Sequence, residues 1–138
     1  MAVHTGLLRM ETEGNGAVVD LTEGVRSVVA RSGVQSGLAA VFAVGATVGV
    51  TTIEHEPGAV ADLQALLDRL VPPDGPYRHN ELNHDTNAHS HLRAAVIGPS
   101  ETIPIVGGQL GLGTWQQLVL LDFDDRPRER IVSVQVLS

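Results

Sequence analysis

Aromatic side chains make up 3% of this 138-residue sequence, so a core must be assembled from Val, Leu, Ile and Ala. β-Branched residues suit a pleated, half-buried surface, and Val recurs throughout. Apolar residues reach 43% of the chain, enough to bury one core at this length. The expectation is a single domain over residues 1–138, with strands carrying most of its interior.

The pattern along the chain fills in that expectation. Val3–Glu13 alternates loosely and reads as a strand, and Gly14-Asn15-Gly16 is strong turn punctuation. Ala17–Leu21 then returns as the partner strand of a hairpin. Thr22 is placed as a helix N-cap with Glu23 in the first turn; Val25, Val28 and Val29 give helical spacing, and Gly33 ends the helix. Leu38–Val44 is a continuous apolar run of the kind found in strands buried on both faces. Thr47–Ile53 is β-branched and reads as the next strand. Val60, Leu63, Leu66, Leu67 and Leu70 make one helical stripe, stopped by Pro72-Pro73. Asp74–Asn87 is polar and reads as a long loop, a place where function concentrates. Asn87 caps a short helix over Ala88–Val96, with a strand as the alternative. Glu101–Val106, Gln109–Gly113, Trp115–Phe123 and Arg130–Leu137 read as strands between turns. The fold class is therefore α+β: a mostly antiparallel sheet or sandwich core with two or three helices.

Charge and cysteine content narrow the function. The net charge is −7 and the basic residues number nine, all of them Arg. Without a basic cluster the chain is a poor nucleic-acid binder. It has no cysteine, hence no disulfide, thiolate metal site or cysteine nucleophile. No apolar run approaches the roughly 18 residues of a membrane span, and Met1–Arg9 has no signal-peptide core. A cytoplasmic protein without membrane or nucleic-acid partners is the default expectation.

Four of the six histidines, His79, His84, His89 and His91, fall in or beside the polar loop, with Glu81 and Asp85 among them. Imidazole is the commonest protein ligand for zinc, and carboxylates complete such sites. His89 and His91 point the same way in a strand but lie about 200° apart in a helix, where at most one can serve a given metal. A solvated polar loop is the plainer reading. Glu54 closes a strand, where a carboxylate is placed for general-base work; with His55 and Glu56 it equally marks a helix start. Trp115, the single tryptophan, is either a ligand wall or, as lone tryptophans more often are, core or interface. Thr114 and Gln116 flank it with neutral hydrogen-bonding groups, and Gly113 allows close backbone approach.

Taken together these segments resemble the YjbQ-like family, also known as secondary thiamine-phosphate synthases. The resemblance rests on Thr51–Glu54 with Asp62-Leu63, Tyr77-Arg78-His79-Asn80, Asn87–Arg93, Gly98-Pro99-Ser100, Ile103-Pro104-Ile105, Gly108, Leu110, Leu112–Gln116 and Asp124–Arg130. It implies an α+β domain that assembles as a homotrimer. It also implies a weak synthase activity joining a pyrimidine diphosphate to a thiazole phosphate with release of pyrophosphate. On that basis Glu54, His79, Asn87, Thr114, Trp115 and Gln116 are expected to act on a small phosphorylated molecule. His79, His89 and His91 are the expected ligands of a divalent metal, zinc or magnesium. The chain departs from the family where many members carry a His-Thr-Thr/Ser-Ala run: here it reads Gly45-Ala46-Thr47-Val48, so one histidine of the implied cluster is missing.

Overall fold

The computed structural model describes residues 2–138. Its elements are β1 (Val3–Thr12), β2 (Ala17–Asp20), α1 (Thr22–Ser32), β3 (Ser36–Val44), β4 (Val48–Ile53), α2 (Pro57–Leu70), α3 (Arg78–Asn83), α4 (Ala88–Ile97), β5 (Ser100–Val106), β6 (Gln109–Leu110), β7 (Gln117–Asp122) and β8 (Arg128–Leu137). They form a five-stranded sheet in the order β1-β8-β3-β5-β6 and a three-stranded sheet in the order β2-β7-β4. Every strand pair is antiparallel. The expected α+β, mostly antiparallel class is the one observed.

The two sheets share one aliphatic core. Ala39, Val41, Val132, Val134 and Val136 meet Val48, Val50, Leu118 and Leu120, and α1 adds Val25, Val28 and Val29. A second, smaller core lies on the other side of the three-stranded sheet. There Val119, Leu121 and Phe123 pack against Leu67 of α2 and Ala94 of α4. The layers therefore run five-stranded sheet, three-stranded sheet, helices. The continuous apolar run buried on both faces is β7. β3 alternates instead: Ala39, Val41 and Ala43 are buried while Leu38, Phe42 and Val44 are exposed. No helix covers the outer face of its sheet, which corrects the reading of Leu38–Val44 as doubly buried.

Other sequence expectations also shift. β1 and β2 are not hairpin partners: β1 pairs with β8 and β2 with β7. Gly14-Asn15-Gly16, all with positive φ, carries the chain from one sheet to the other, with Asn15 N–H bonded to the Asp124 carbonyl and Gly16 N–H to that of Asp122. Thr22 lies inside α1 and Leu21 takes the N-cap position. The Thr22 hydroxyl instead accepts the Leu118 N–H at 3.0 Å. The polar stretch 74–87 contains α3, a fourth helix where two or three were expected, and α4 settles the helix-or-strand alternative at residues 88–96. Strand content after Gln109 is shorter than expected, because β6 ends at Leu110 and β7 begins at Gln117.

Three crossovers between the sheets converge on one buried polar cluster. They are the connections β1–β2, β3–β4 and β7–β8. Thr12 donates to Asp122 from the first. Thr47, in the second, accepts from Arg130 Nη2 at 2.7 Å and meets Asp124 Oδ2 at 3.3 Å. Arg130 grips Asp122 with two bonds of 2.7 and 2.9 Å, and Arg128 holds Asp124 at 2.8 Å. Asp122, Asp124, Thr12, Thr47 and Arg130 are all buried. Burial alone pushes the Asp122 carboxyl up, but hydrogen bonds from Arg130, Thr12 and the Asp124 N–H outweigh it and hold it below the usual carboxylate range.

Candidate functional site

α3 and α4 bring two of the predicted histidines face to edge. The His79 and His91 rings have centroids 4.7 Å apart and planes inclined by 75°. They wall a cavity of about 270 Å³ together with Tyr77, Arg78, Ala88 and Leu92. The local sequence explains the arrangement. Asn80, one residue past His79, accepts the Ala88 N–H at 3.0 Å through its side chain, so α3 caps the start of α4. Asn87, the expected cap, makes no side-chain cap bond. Its Oδ1 instead lies 3.0 Å from His79 Nε2.

The hydrogen bonds assign the protons. His91 Nδ1 lies 3.0 Å from the Ala46 carbonyl oxygen. A carbonyl can only accept, so Nδ1 carries a hydrogen, and in the neutral ring the lone pair is on Nε2. His79 is held differently. Its Nε2 faces Asn87 Oδ1, with Asp85 Oδ2 at 3.7 Å, and its Nδ1 lies 3.4 Å from Asn83 Nδ2. In that setting His79 Nε2–H is a donor and Nδ1 an acceptor.

His89 stands apart from this pair. It is buried at 7% exposure on another side of α4, as helical spacing requires, and its Nδ1 has no hydrogen-bond partner. Burial, and next the Arg93 charge, pull its pKa below the ordinary imidazole value. His84 closes α3 with a left-handed backbone. Among the described residues no group of three or more His, Asp or Glu side chains converges to hold a metal. The donors of one chain thus fit a divalent metal incompletely: His91 offers a free nitrogen, His79 has both nitrogens engaged, and His89 faces elsewhere. Zinc sites take at least three protein ligands as a rule.

The remaining predicted residues lie around a second cavity, of about 430 Å³, that shares no lining residue with the first. Glu54, Thr114 and Trp115 line it, with Asp20, Glu23, His55 and Glu56 nearby. Trp115 is 72% exposed in the single chain, so of the expected alternatives, ligand wall, core or interface, the core is excluded. Glu56 makes α2 begin here: its carboxylate accepts the N–H groups of Gly58 and Ala59, and those bonds lower its pKa. Gln116 turns away from the cavity, bonding Gly113 N–H and Thr52 Oγ1 at 3.0 and 3.1 Å. The predicted site is thus two half-sites within one chain, a histidine pocket and an acidic cleft with a tryptophan at its edge.

The fold, the Leu112–Gln116 connection and the His79/His91 pair can now be set beside known proteins. A family model described as UPF0047 protein YjbQ-like matches residues 7–138. The chain belongs to the YjbQ-like UPF0047 family. A UPF0047 protein of Methanothermobacter thermautotrophicus is 36% identical over 136 residues, covering 99% of this chain and 93% of that one. The UPF0047 protein Rv2556c of Mycobacterium tuberculosis is 43% identical over 115 residues, covering 83% and 84%. Among solved structures, hypothetical protein APE1520 of Aeropyrum pernix superposes with a TM-score of 0.90 at 37% identity, covering 97% and 98%. A YbjQ-like protein of unknown function from Sulfolobus solfataricus superposes with a TM-score of 0.89 at 28% identity, covering 99% of both chains.

Within this family frame the Gly45 departure has a local structural counterpart. Gly45 has φ +148°, and a Cβ there would approach Arg130 Nη1 to 3.0 Å. In this chain a side chain at position 45 would be strained, and Arg130 would have to give way. Several contributors to the histidine pocket were outside the sequence reading: Asn80, Asn83 and the Ala46 carbonyl. The Tyr77–Asn80 motif was a signal for the first. A backbone carbonyl leaves no signal at all.

Proposed function

We propose that the protein is a small-molecule transferase of the thiamine-phosphate-synthase type, acting on a phosphorylated substrate at the His79/His91 pocket. The observation that carries this reading is the edge-to-face pair of imidazoles at that cavity, each fixed through one nitrogen, His91 by the Ala46 carbonyl and His79 by Asn87 Oδ1. Arg78 adds a permanent cation at the same cavity, suited to phosphate oxygens. In the implied reaction the carbon–oxygen bond to diphosphate breaks, a bond from that carbon to the thiazole nitrogen forms, and pyrophosphate leaves. Arg78 would stabilise charge on the departing oxygens, beside the His79 ring that Asn87 and Asn83 hold in place. Glu54, Thr114 and Trp115 would hold the ring-bearing part of a substrate in the acidic cleft, with Asn87 orienting His79.

Self-assembly as a homotrimer belongs to the same reading. The outer face of the five-stranded sheet exposes Leu7, Leu38, Phe42 and Val44, and exposed apolar patches mark interaction sites. A subunit boundary offers a way for two half-sites, separate in one chain, to form one pocket. A divalent metal, zinc or magnesium, would draw on His91, with its remaining donors from phosphate oxygens or a second chain. A cytoplasmic location accords with these small phosphorylated substrates.

The test is product formation from the pyrimidine diphosphate and the thiazole phosphate, followed by chromatography of thiamine phosphate and released pyrophosphate. The wild type should form both, and His79→Ala and His91→Ala should lose the product while keeping fold and assembly. A wild type that yields no product would remove the transferase reading. The second reading, a non-catalytic homotrimeric binder of a metal or small anion, is supported by Arg78 beside the two imidazoles, a set of groups suited to an anion. It predicts a thermal shift with zinc or phosphate, abolished in His91→Ala, and no turnover.

A further inference from the structure

His91 and the backbone atom that fixes its proton come from distant parts of the chain, and the buried corner cluster connects them. Ala46 lies in the β3–β4 crossover. The next residue, Thr47, is 6% exposed, and its hydroxyl is held between Arg130 Nη2 at 2.7 Å and Asp124 Oδ2 at 3.3 Å. The Thr47 carbonyl accepts the Phe123 N–H at 2.9 Å. The Phe123 carbonyl in turn accepts the hydroxyl of Ser90, the residue before His91. The backbone of Phe123 therefore ties the Ala46-Thr47 corner on one side and the first turn of α4 on the other. Arg130 is itself fixed by its two bonds to Asp122.

We infer that Thr47 and Arg130, anchored by Asp122, are positioning residues for His91: they hold the Ala46 carbonyl against Nδ1 and so keep the hydrogen of the neutral ring on Nδ1 rather than Nε2. This inference rests on the proposed use of that nitrogen, as base or as metal ligand. The physical reason is simple. A neutral imidazole has two tautomers, and the hydrogen bond made by one nitrogen selects which is present. An acceptor on an unsupported turn selects weakly, because the turn moves. Here the turn is clamped by charge-assisted bonds, roughly twice as strong as neutral ones, in a setting largely shielded from water. Thr47 and Arg130 line none of the cavities bordered by the predicted residues, including the one that His91 shares with Gly45 and Ala46, so their effect would reach the pocket through position alone.

The experiment is long-range proton–nitrogen NMR on protein labelled with 15N-histidine, about two pH units above the ordinary imidazole value of about 6.5. In the wild type, His91 should show a protonated Nδ1 and an unprotonated Nε2. In Thr47→Val the two nitrogen signals should move toward one another as the tautomers mix, and Thr47→Ser should restore the wild-type pattern. Should Thr47→Val fail to fold, Arg130→Lys decides, since it keeps the charge beside Asp122 but loses the geometry toward Thr47; it should show the same mixing. A wild-type His91 protonated on Nε2, or a wild-type pattern retained in folded Thr47→Val or Arg130→Lys, would overturn the inference. The readout needs neither substrate nor metal. A negative turnover assay beside the expected spectra would remove the transferase reading and leave the positioning role standing.

Discussion

Asp122 and Arg130 are a carboxylate and a guanidinium in a core otherwise built of aliphatic side chains, with side-chain exposures of 0% and 9%. Removing Arg130 leaves Asp122 a buried charge without a cation, and removing Asp122 leaves Arg130 only the longer 3.6 Å ion pair to Asp124; breaking comparable pairs costs about 3–5 kcal/mol. Asp122→Asn should lower unfolding stability by about that amount, read from urea denaturation midpoints. The pair also sets an acid limit. The folded-state pKa values of Asp122 and Asp124 are depressed, after burial is outweighed by hydrogen bonds from Arg130 and Arg128 respectively. Their stabilisation is therefore complete above the ordinary carboxylate value of about 3.9 and is lost as pH falls through the folded values. His89 acts at higher pH with the same sign. Its folded value is depressed by burial and then by Arg93, so stability is full above about 6.5 and declines as pH falls from there. His89→Met should flatten that decline in thermal melts between neutral and mildly acid pH. It should cost little at neutral pH, because the buried Nδ1 has no partner to lose.

At the scale of elements, each strand lies on a segment that reads as strand in the sequence, whereas of the helices α3 was missed and α4 was left open; what the strands did not reveal was their pairing. The α2 stripe ends close to where Pro72-Pro73 placed it, at Leu70, because proline acts locally on the backbone. The β1–β2 expectation failed for the opposite reason. Alternation and a glycine turn describe two strands and a reversal, but strand partners are chosen by contacts distant in sequence. α3 was missed because five of its six residues are polar and its one leucine, Leu82, is exposed, with none of the six buried, so no periodic signal marks it. Gly37 shows how tightly β3 and β8 approach near their ends: a Cβ there would stand 1.9 Å from the Leu137 carbonyl oxygen. Gly37→Ala should force the backbones apart and destabilise the protein by about 1–3 kcal/mol, the usual range for overpacking. Hydrogen exchange should localise the loss to the β3–β8 pairing.

At the scale of the whole molecule, the bare outer face of the five-stranded sheet is the surface through which the proposed homotrimer would assemble. Leu38 pairs across the sheet with Leu137, and Val44 with Ile131, so apolar groups stand beside one another on that face. Phe42→Asp should convert a trimer, three times the 14.6 kDa chain mass, to monomers in sedimentation or light scattering, while leaving the circular dichroism unchanged. A trimer that survives the substitution would place the interface elsewhere. The sequence by itself determined the aliphatic, strand-rich α+β core, the two longer helices and the candidate histidines. Each of these follows from side-chain chemistry and local periodicity. The same information ran through the segments that show family membership. Only the tertiary structure decided that His91 pairs with His79 while His89 turns inward, and that Glu54 and Trp115 border a different cavity. It alone showed that the Ala46 carbonyl lies 3.0 Å from His91 Nδ1. Those outcomes depend on which crossover meets which helix, a matter of packing between residues up to 45 positions apart, and no local pattern encodes it.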